Sequence, residues 1–185
     1  MARLFTGFKI YPGEKLLNFY TSLKEDLADS RINWVNPDNL HITLKFLGEV
    51  PLSKVESVKE RLEAVAGESS QFELQGSNFG YFGRSSSPTV LWLGYAFNKQ
   101  LETLQTRVDQ ELSTVGYPLE SRGYFPHLTL ARVKYLKEPE RFLATIKRGF
   151  AYDETYTIND FQLIQSKLSS AGPSYSTISV FHLSK

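Results

Sequence analysis

Apolar positions along this chain change period several times, and each change marks an element. Leu4 to Ile10 alternates as a strand does. The Pro12-Gly13 turn leads into Glu14 to Leu27, where Leu16, Leu17, Tyr20, Leu23 and Leu27 recur at helical spacing. Asn36-Pro37-Asp38-Asn39 is a turn that delivers the chain into a second alternating run, from His41 to about Gly48. Ser53, with Glu56 three residues on, starts a helix that runs to about Val65, and the Gly67 stretch ends it. Phe72 to Phe79 and Thr89 to Phe97 are rich in aromatic and aliphatic residues, which predicts two strands. The polar stretch between them, Gly80 to Pro88, predicts an exposed loop carrying Tyr81, Phe82 and Arg84. A third helix fits Lys99 to Val115, with Leu101, Leu104, Val108, Leu112 and Val115 on one stripe and Gly116 closing it. An alternating run from His127, a short helix over Pro139 to Arg148, and strands at Thr157 to Leu168 and Ser176 to His182 around the turn Ser169 to Pro173 complete the chain.

Two of these runs open on nearly the same phrase, His41-Ile-Thr43-Leu-Lys45 and His127-Leu-Thr129-Leu-Ala. In a strand, His and Thr fall on one face and the aliphatic residues on the other. The order strand, helix, His strand, helix also occurs twice, so the chain has the form of an imperfect duplication. Pro126 has no amide proton, which places the start of the second run at His127 or at a sheet edge. If the two phrases face each other, two imidazoles and two hydroxyls converge on a space suited to a phosphate. One neutral imidazole can take a proton from water while a protonated one gives a proton to a departing oxygen. The Thr hydroxyls can donate to non-bridging phosphate oxygens. Residue types alone do not decide which His is acid and which is base.

Composition narrows this reading. The chain has 185 residues, 41% hydrophobic and 14% aromatic, enough for one good core and too few for two independent domains of ordinary size. No apolar run approaches the roughly 18 residues of a membrane span. The first residues alternate like a strand instead of forming a basic segment followed by an apolar leader. With no Cys, disulfides and thiolate chemistry are excluded, and a cytoplasmic location is expected. A formal charge of +1 argues against a broad nucleic-acid-binding surface but leaves a single phosphate or an RNA end open. Zinc normally takes three or four closely spaced ligands, and no such spacing occurs, so neither metal nor cofactor is expected. His182 has no Thr partner and reads as structural.

The flanks extend the pattern. Arg3-Leu-Phe, Trp34-Val-Asn-Pro37 leading to His41-Ile-Thr43-Leu-Lys-Phe-Leu-Gly48, Val90-Leu-Trp-Leu-Gly94, Phe125-Pro-His127-Leu-Thr129-Leu-Ala-Arg132, and Ser166-x-Leu with Gly172-Pro-x-Tyr175 stand in one order along almost the whole chain. With them the sequence resembles the 2H phosphoesterase superfamily and, within it, the LigT-like RNA 2′,3′-cyclic phosphodiesterases. The resemblance implies a bilobal, pseudo-duplicated α+β fold over residues 1–185. In it, two mainly antiparallel sheets flank a central cleft and the helices lie on the outer faces. It further implies metal-independent hydrolysis of a terminal 2′,3′-cyclic phosphate to a 2′-phosphate, with His41 as proton donor and His127 as proton acceptor. Reversible 2′-5′ joining of RNA ends, tRNA halves among them, has been linked to the same site.

Thr43 and Thr129 are then the expected phosphate ligands. Arg132 is a further one by resemblance, although strict alternation puts it on the Leu128 and Leu130 face, so a bulge or strand end is required. Lys45 shares the His41 face on the same alternation and is a candidate phosphate ligand. Tyr81, Phe82, Tyr124 and Phe125 are candidates to stack on a terminal base. A monomer acting on RNA termini or cyclic nucleotides is expected. A non-catalytic binder of a nucleotide or phosphorylated end, and a phosphodiesterase for ADP-ribose cyclic phosphate or 2′-5′ oligoadenylate, are the alternatives.

Overall fold

The computed structural model describes residues 1–150, 152–169 and 172–185. Among the described residues, nine strands and four α-helices follow one another as β1 (Ala2–Lys9), α1 (Glu14–Asp26), β2 (Arg31–Trp34), β3 (His41–Val50), α2 (Val55–Gly67), β4 (Phe72–Arg84), β5 (Ser87–Tyr95), α3 (Lys99–Ser113), β6 (His127–Tyr135), α4 (Pro139–Arg148), β7 (Thr155–Ile158), β8 (Asp160–Ser169) and β9 (Gly172–His182). The class is α+β and the ladders between the named strands are all antiparallel.

The strand order is β7-β4-β5-β6-β3-β1-β8-β9, with β2 paired to the far end of β6. Two groups of strands are therefore present, as expected, but they are joined. The inner strands of the two groups, β3 and β6, meet through one register pair, Ile42 with Leu128. Outward from that seam the order is mirrored, His strand, neighbouring strand, then β8 on one side and β4 on the other.

One face of the sheet is closed by the helices. Leu4, Phe8, Ile42, Leu44, Leu91, Leu93, Leu128 and Leu130 point there with Leu16, Leu23, Val58, Leu62, Leu104 and Val108 in a continuous buried core. Each such side chain contributes about 1.5–3 kcal/mol. Helices α2 and α3 pair with each other and lie on the β3 and β9 half, while α1 pairs with α4 and lies on the β4 half. Helix α1 is preceded at its N-cap by Gly13, which has no capping side chain; the Glu154 carboxylate, beside β7, accepts from the Leu16 amide at 3.1 Å instead. A first-turn amide is thereby satisfied by a distant carboxylate.

Three local expectations change. The predicted loop Gly80 to Pro88 is mostly strand, because β4 continues to Arg84 and β5 starts at Ser87. Gly80 is glycine because the Trp92 ring occupies the space a Cβ would need, 2.4 Å away. Strand β2, too short to show alternation, is added, and the predicted strand Thr157 to Leu168 is two strands separated at Asn159. Of the predicted turn Ser169 to Pro173, Ser170 and Ala171 lie outside the described residues.

Candidate active site

Each motif histidine is the first residue of its strand, and each is held the same way. Asn36 caps the short turn Pro37–Asn39, its Oδ1 accepting from the Asp38 amide at 3.0 Å, and this brings the Asn39 carbonyl to 2.7 Å from His41 Nδ1. In the other half the Phe125 carbonyl lies 2.9 Å from His127 Nδ1, across Pro126. A carbonyl only accepts, so Nδ1 is the protonated nitrogen of each neutral ring and Nε2 carries the lone pair. The same nitrogen is a base in the neutral ring and an acid in the charged one.

The Ile42–Leu128 pair fixes how the motifs meet. Both of these side chains are fully buried on the helix face, which leaves His41, Thr43, His127 and Thr129 half-buried on the opposite face. One step from the pair, the antiparallel register sets His41 against Thr129 and Thr43 against His127. The two histidines are thus diagonal neighbours, a relation that places Cα atoms about 7–8 Å apart. Gly7 of β1 lets that strand lie close against the first motif, since a Cβ there would lie 2.2 Å from the Ile42 carbonyl oxygen.

A bulge follows each motif. In β3, Gly7 pairs with Thr43 and Thr6 with Lys45, so Leu44 is the extra residue; in β6, Trp92 pairs with Thr129 and Leu91 with Ala131, so Leu130 is. An inserted residue reverses which face the following side chains take. Ala131 turns into the core and Arg132 emerges on the cleft side, exposed, which meets the requirement that alternation alone could not.

The same device removes Lys45 from the site. Lys45 turns to the helix face, is 3% exposed, pairs with Asp109 of α3 and donates to the Pro118 carbonyl at 2.7 Å. The expectation that Lys45 contacts phosphate is therefore corrected. At the position equivalent to Arg132 the first motif carries Phe46, which is 61% exposed.

Burial lowers the pKa of both imidazoles, against the raising effect of their carbonyl hydrogen bonds. His41 is lowered further by the charges of His127 and Arg132, and His127 by Arg132. Aromatic rings complete the walls. Phe5 lies 4.7 Å from the His41 ring and Tyr175 meets it edge-on at 5.0 Å. Phe82 meets the His127 ring edge-on at 5.0 Å, with Phe125 at 6.0 Å.

With two imidazoles, two Thr residues and a guanidinium on one face, the arrangement suits an anion with a proton donor and a proton acceptor on either side of it. A family model described as LigT like Phosphoesterase matches residues 10–92 and 95–175. The chain belongs to this family. Among similar proteins, one from Archaeoglobus fulgidus named RNA 2′,3′-cyclic phosphodiesterase is 36% identical over 161 residues, covering 86% of this chain and 88% of its own. Another of the same name from Aquifex aeolicus is 29% identical over 192 residues, 99% of this chain and 98% of its own. Among solved structures, one from Thermus thermophilus superposes with a TM-score of 0.79 at 21% identity, covering 98% and 97% of the two chains. E. coli LigT complexed with 3′-AMP superposes with a TM-score of 0.76 at 23% identity, covering 100% and 99%.

In this LigT-like phosphoesterase the aromatic residues flagged in the sequence separate into two groups. Phe82 and Phe125 stand beside His127, partly exposed. Tyr81 packs edge-on against Phe142 of α4 at 5.4 Å, and Tyr124 turns inward to donate its hydroxyl to the Thr43 carbonyl at 3.1 Å. Neither is placed to stack on a base. Phe5, Phe46 and Tyr175 were not singled out as site residues; Phe5 and Tyr175 stood in the flanking phrases, but their place beside His41 depends on pairing between distant strands. His182 is exposed on β9. Among the described residues no three His, Asp or Glu side chains cluster as metal ligands. A groove of about 440 Å³ lies between α1 and α4, lined by Phe19, Leu23, Arg148 and Phe150, and contains neither motif.

Proposed function

We propose that this chain is an RNA 2′,3′-cyclic phosphodiesterase that hydrolyses a terminal 2′,3′-cyclic phosphate to a 2′-phosphate by acid and base catalysis from two histidines, without a metal ion. The observation that carries the reading is the paired tautomer control: each motif His gives its Nδ1 proton to a carbonyl, which leaves two Nε2 atoms as the exchangeable positions. Water attacks phosphorus as His127 Nε2 takes its proton. The P–O3′ bond breaks in line with the attack, and His41 Nε2 delivers a proton to O3′. The net change is addition of one water, and each imidazole ends in the other's starting protonation state. The roles of donor and acceptor follow the family resemblance. Thr43 and Thr129 donate to non-bridging oxygens and Arg132 balances the charge that builds on them. An entering phosphate monoanion also raises the pKa of the imidazoles it touches, offsetting burial and Arg132.

Residues 1–185 act as one bilobal unit, as a cytoplasmic monomer, on RNA ends or small cyclic nucleotides. The reverse reaction, 2′-5′ joining, uses the same atoms. The names of the curated relatives and the ordered motifs support the substrate class.

Incubation with EDTA and an oligonucleotide ending in 2′,3′-cyclic phosphate tests the reading, with product analysis separating 2′- from 3′-phosphate. His41→Ala and His127→Ala are each expected to lose about 10²–10⁴-fold in kcat. Undiminished turnover in either variant, or turnover abolished by EDTA, would overturn it. Binding without turnover in the unmodified protein would point to a non-catalytic binder instead.

A further inference from the structure

Three residues of the flanking phrases, Arg3, Ser166 and Tyr175, have no part in the reaction above, and the sheet brings them together. Strand β1 alternates without interruption. Ala2, Leu4, Thr6 and Phe8 are buried on the helix face, so Arg3 and Phe5 project on the cleft face, Phe5 against the His41 ring. Leu4 pairs with Gln165 of β8, which sets Arg3 opposite Ser166 one step on, and Ser166 pairs with Tyr175 of β9. One cross-strand row therefore runs Arg3, Ser166, Tyr175. Its inner end is in the site, since the Tyr175 ring lies edge-on to His41 and 5.4 Å from Phe5.

The row carries one cation, Arg3, and Arg132 acts on its inner end. Burial pushes the Tyr175 hydroxyl up in pKa and the charges of Arg132 and Arg3 oppose it, so that hydroxyl lies in the fields of both guanidiniums. Arg3 is exposed. Its cross-strand partner Glu49 does not come within the 4.0 Å of an ion pair, whereas Arg61 and Arg148 are each held by a carboxylate.

We propose that Arg3, Ser166 and Tyr175 form a second anion subsite, which takes the phosphodiester linking the terminal nucleotide to the rest of an RNA chain. This deepens the proposed function and rests on it. O2′ and the departing O3′ belong to one ribose, so the terminal nucleoside lies on the His41 side of the phosphorus and attacking water on the His127 side. The phosphodiester at O5′ of that nucleoside then leaves the cleft over the β1 and β8 half, past Tyr175 toward Arg3. A guanidinium meets a phosphate through two parallel N–H donors, and hydroxyls from Ser166 and Tyr175 supply further donors. The subsite makes the enzyme prefer an RNA end to a free cyclic nucleotide.

Two substrates separate the possibilities. Cytidine 2′,3′-cyclic phosphate has no upstream phosphodiester, and a trinucleotide ending in the same cyclic phosphate has two. Arg3→Gln is expected to raise KM for the trinucleotide relative to the mononucleotide by about tenfold, in line with loss of a charge-assisted contact. Arg3→Lys should recover part of the difference, and the preference should weaken as salt rises. Titration calorimetry with the 2′-phosphorylated trinucleotide and with cytidine 2′-phosphate reads the same contrast without turnover. An unchanged ratio, or an equal loss on both ligands, overturns the subsite. Failure of the unmodified protein to hydrolyse either cyclic phosphate is the separate failure of the proposed function, and the calorimetric ratio still decides the subsite.

Discussion

The two imidazoles carry an environment that predicts their pH behaviour. Burial disfavours the charged ring, and Arg132 adds a like charge. The limb of kcat/KM that reports the base is therefore displaced to the acid side of the ordinary imidazole pKa of about 6.5. The limb that reports the acid moves the same way, because His41 gives up its proton sooner. Arg132→Gln is expected to move both limbs to higher pH and to weaken phosphate binding, which a kcat/KM profile measured against the unmodified protein will show; limbs that stay in place would contradict the assigned geometry. Stability carries the same sign. Above about 6.5 the rings are neutral folded or unfolded, and as pH falls the unfolded chain takes the proton first, so this contribution is lost progressively down to the depressed folded value. At this scale His41, His127, Thr43 and Thr129 were legible, since alternation over three residues fixes their common face. Alternation misplaced Lys45 and reached Arg132 only through the family resemblance and the bulge it required, because a single inserted leucine in each strand exchanges the faces that alternation assigns them.

Loop and strand elements are fastened to one another by a few polar links, which are the places to test. Lys45 is 2% exposed at its side chain and Asp109 12%, and Asp109 also accepts from the Glu120 amide at 3.1 Å. The pair joins β3 to α3 and to the segment that leads into β6. Lys45→Ala leaves a buried carboxylate without its cation, for which a loss of about 3–5 kcal/mol in unfolding free energy is expected. Below the resulting midpoint, KM for a cyclic mononucleotide should hold, where a phosphate ligand would raise it; chemical denaturation and steady-state kinetics measure the two effects. Tyr124 joins the segment before His127 to the Thr43 carbonyl across the seam, and burial pushes its pKa up. Tyr124→Phe is expected to cost about 0.5–1.5 kcal/mol and to lower kcat more than it raises KM. Among elements, the helices were legible from their stripes and both strands of the β4–β5 hairpin from their apolar residues, while the outer end of that hairpin was masked by Gly80, Gly83 and three consecutive serines that read as loop.

The whole molecule is held by an exchange between its two copies of the repeat. After β3 and α2, the next strand, β4, crosses to pair with β5, and after β6 and α4, β8 returns to pair with β1. Helices cross as well: α1 follows β1 but lies with α4 on the β4 half, and α3 follows β5 but lies with α2 on the other. Neither half is a continuous stretch of chain. Thermal unfolding is therefore expected as a single transition, with calorimetric and van't Hoff enthalpies in agreement. Two resolved transitions would show that the halves fold independently.

By itself the sequence determined the two His-x-Thr strands and the helices around them, because periodicity and short motifs are set by residues close along the chain; the antiparallel α+β class came from the family resemblance that the ordered motifs carry. Only the tertiary structure decided which group stands beside the phosphate site and which turns to the core, and which strands each half contains. Those depend on register between strands far apart in sequence, where one bulged residue changes every face that follows it.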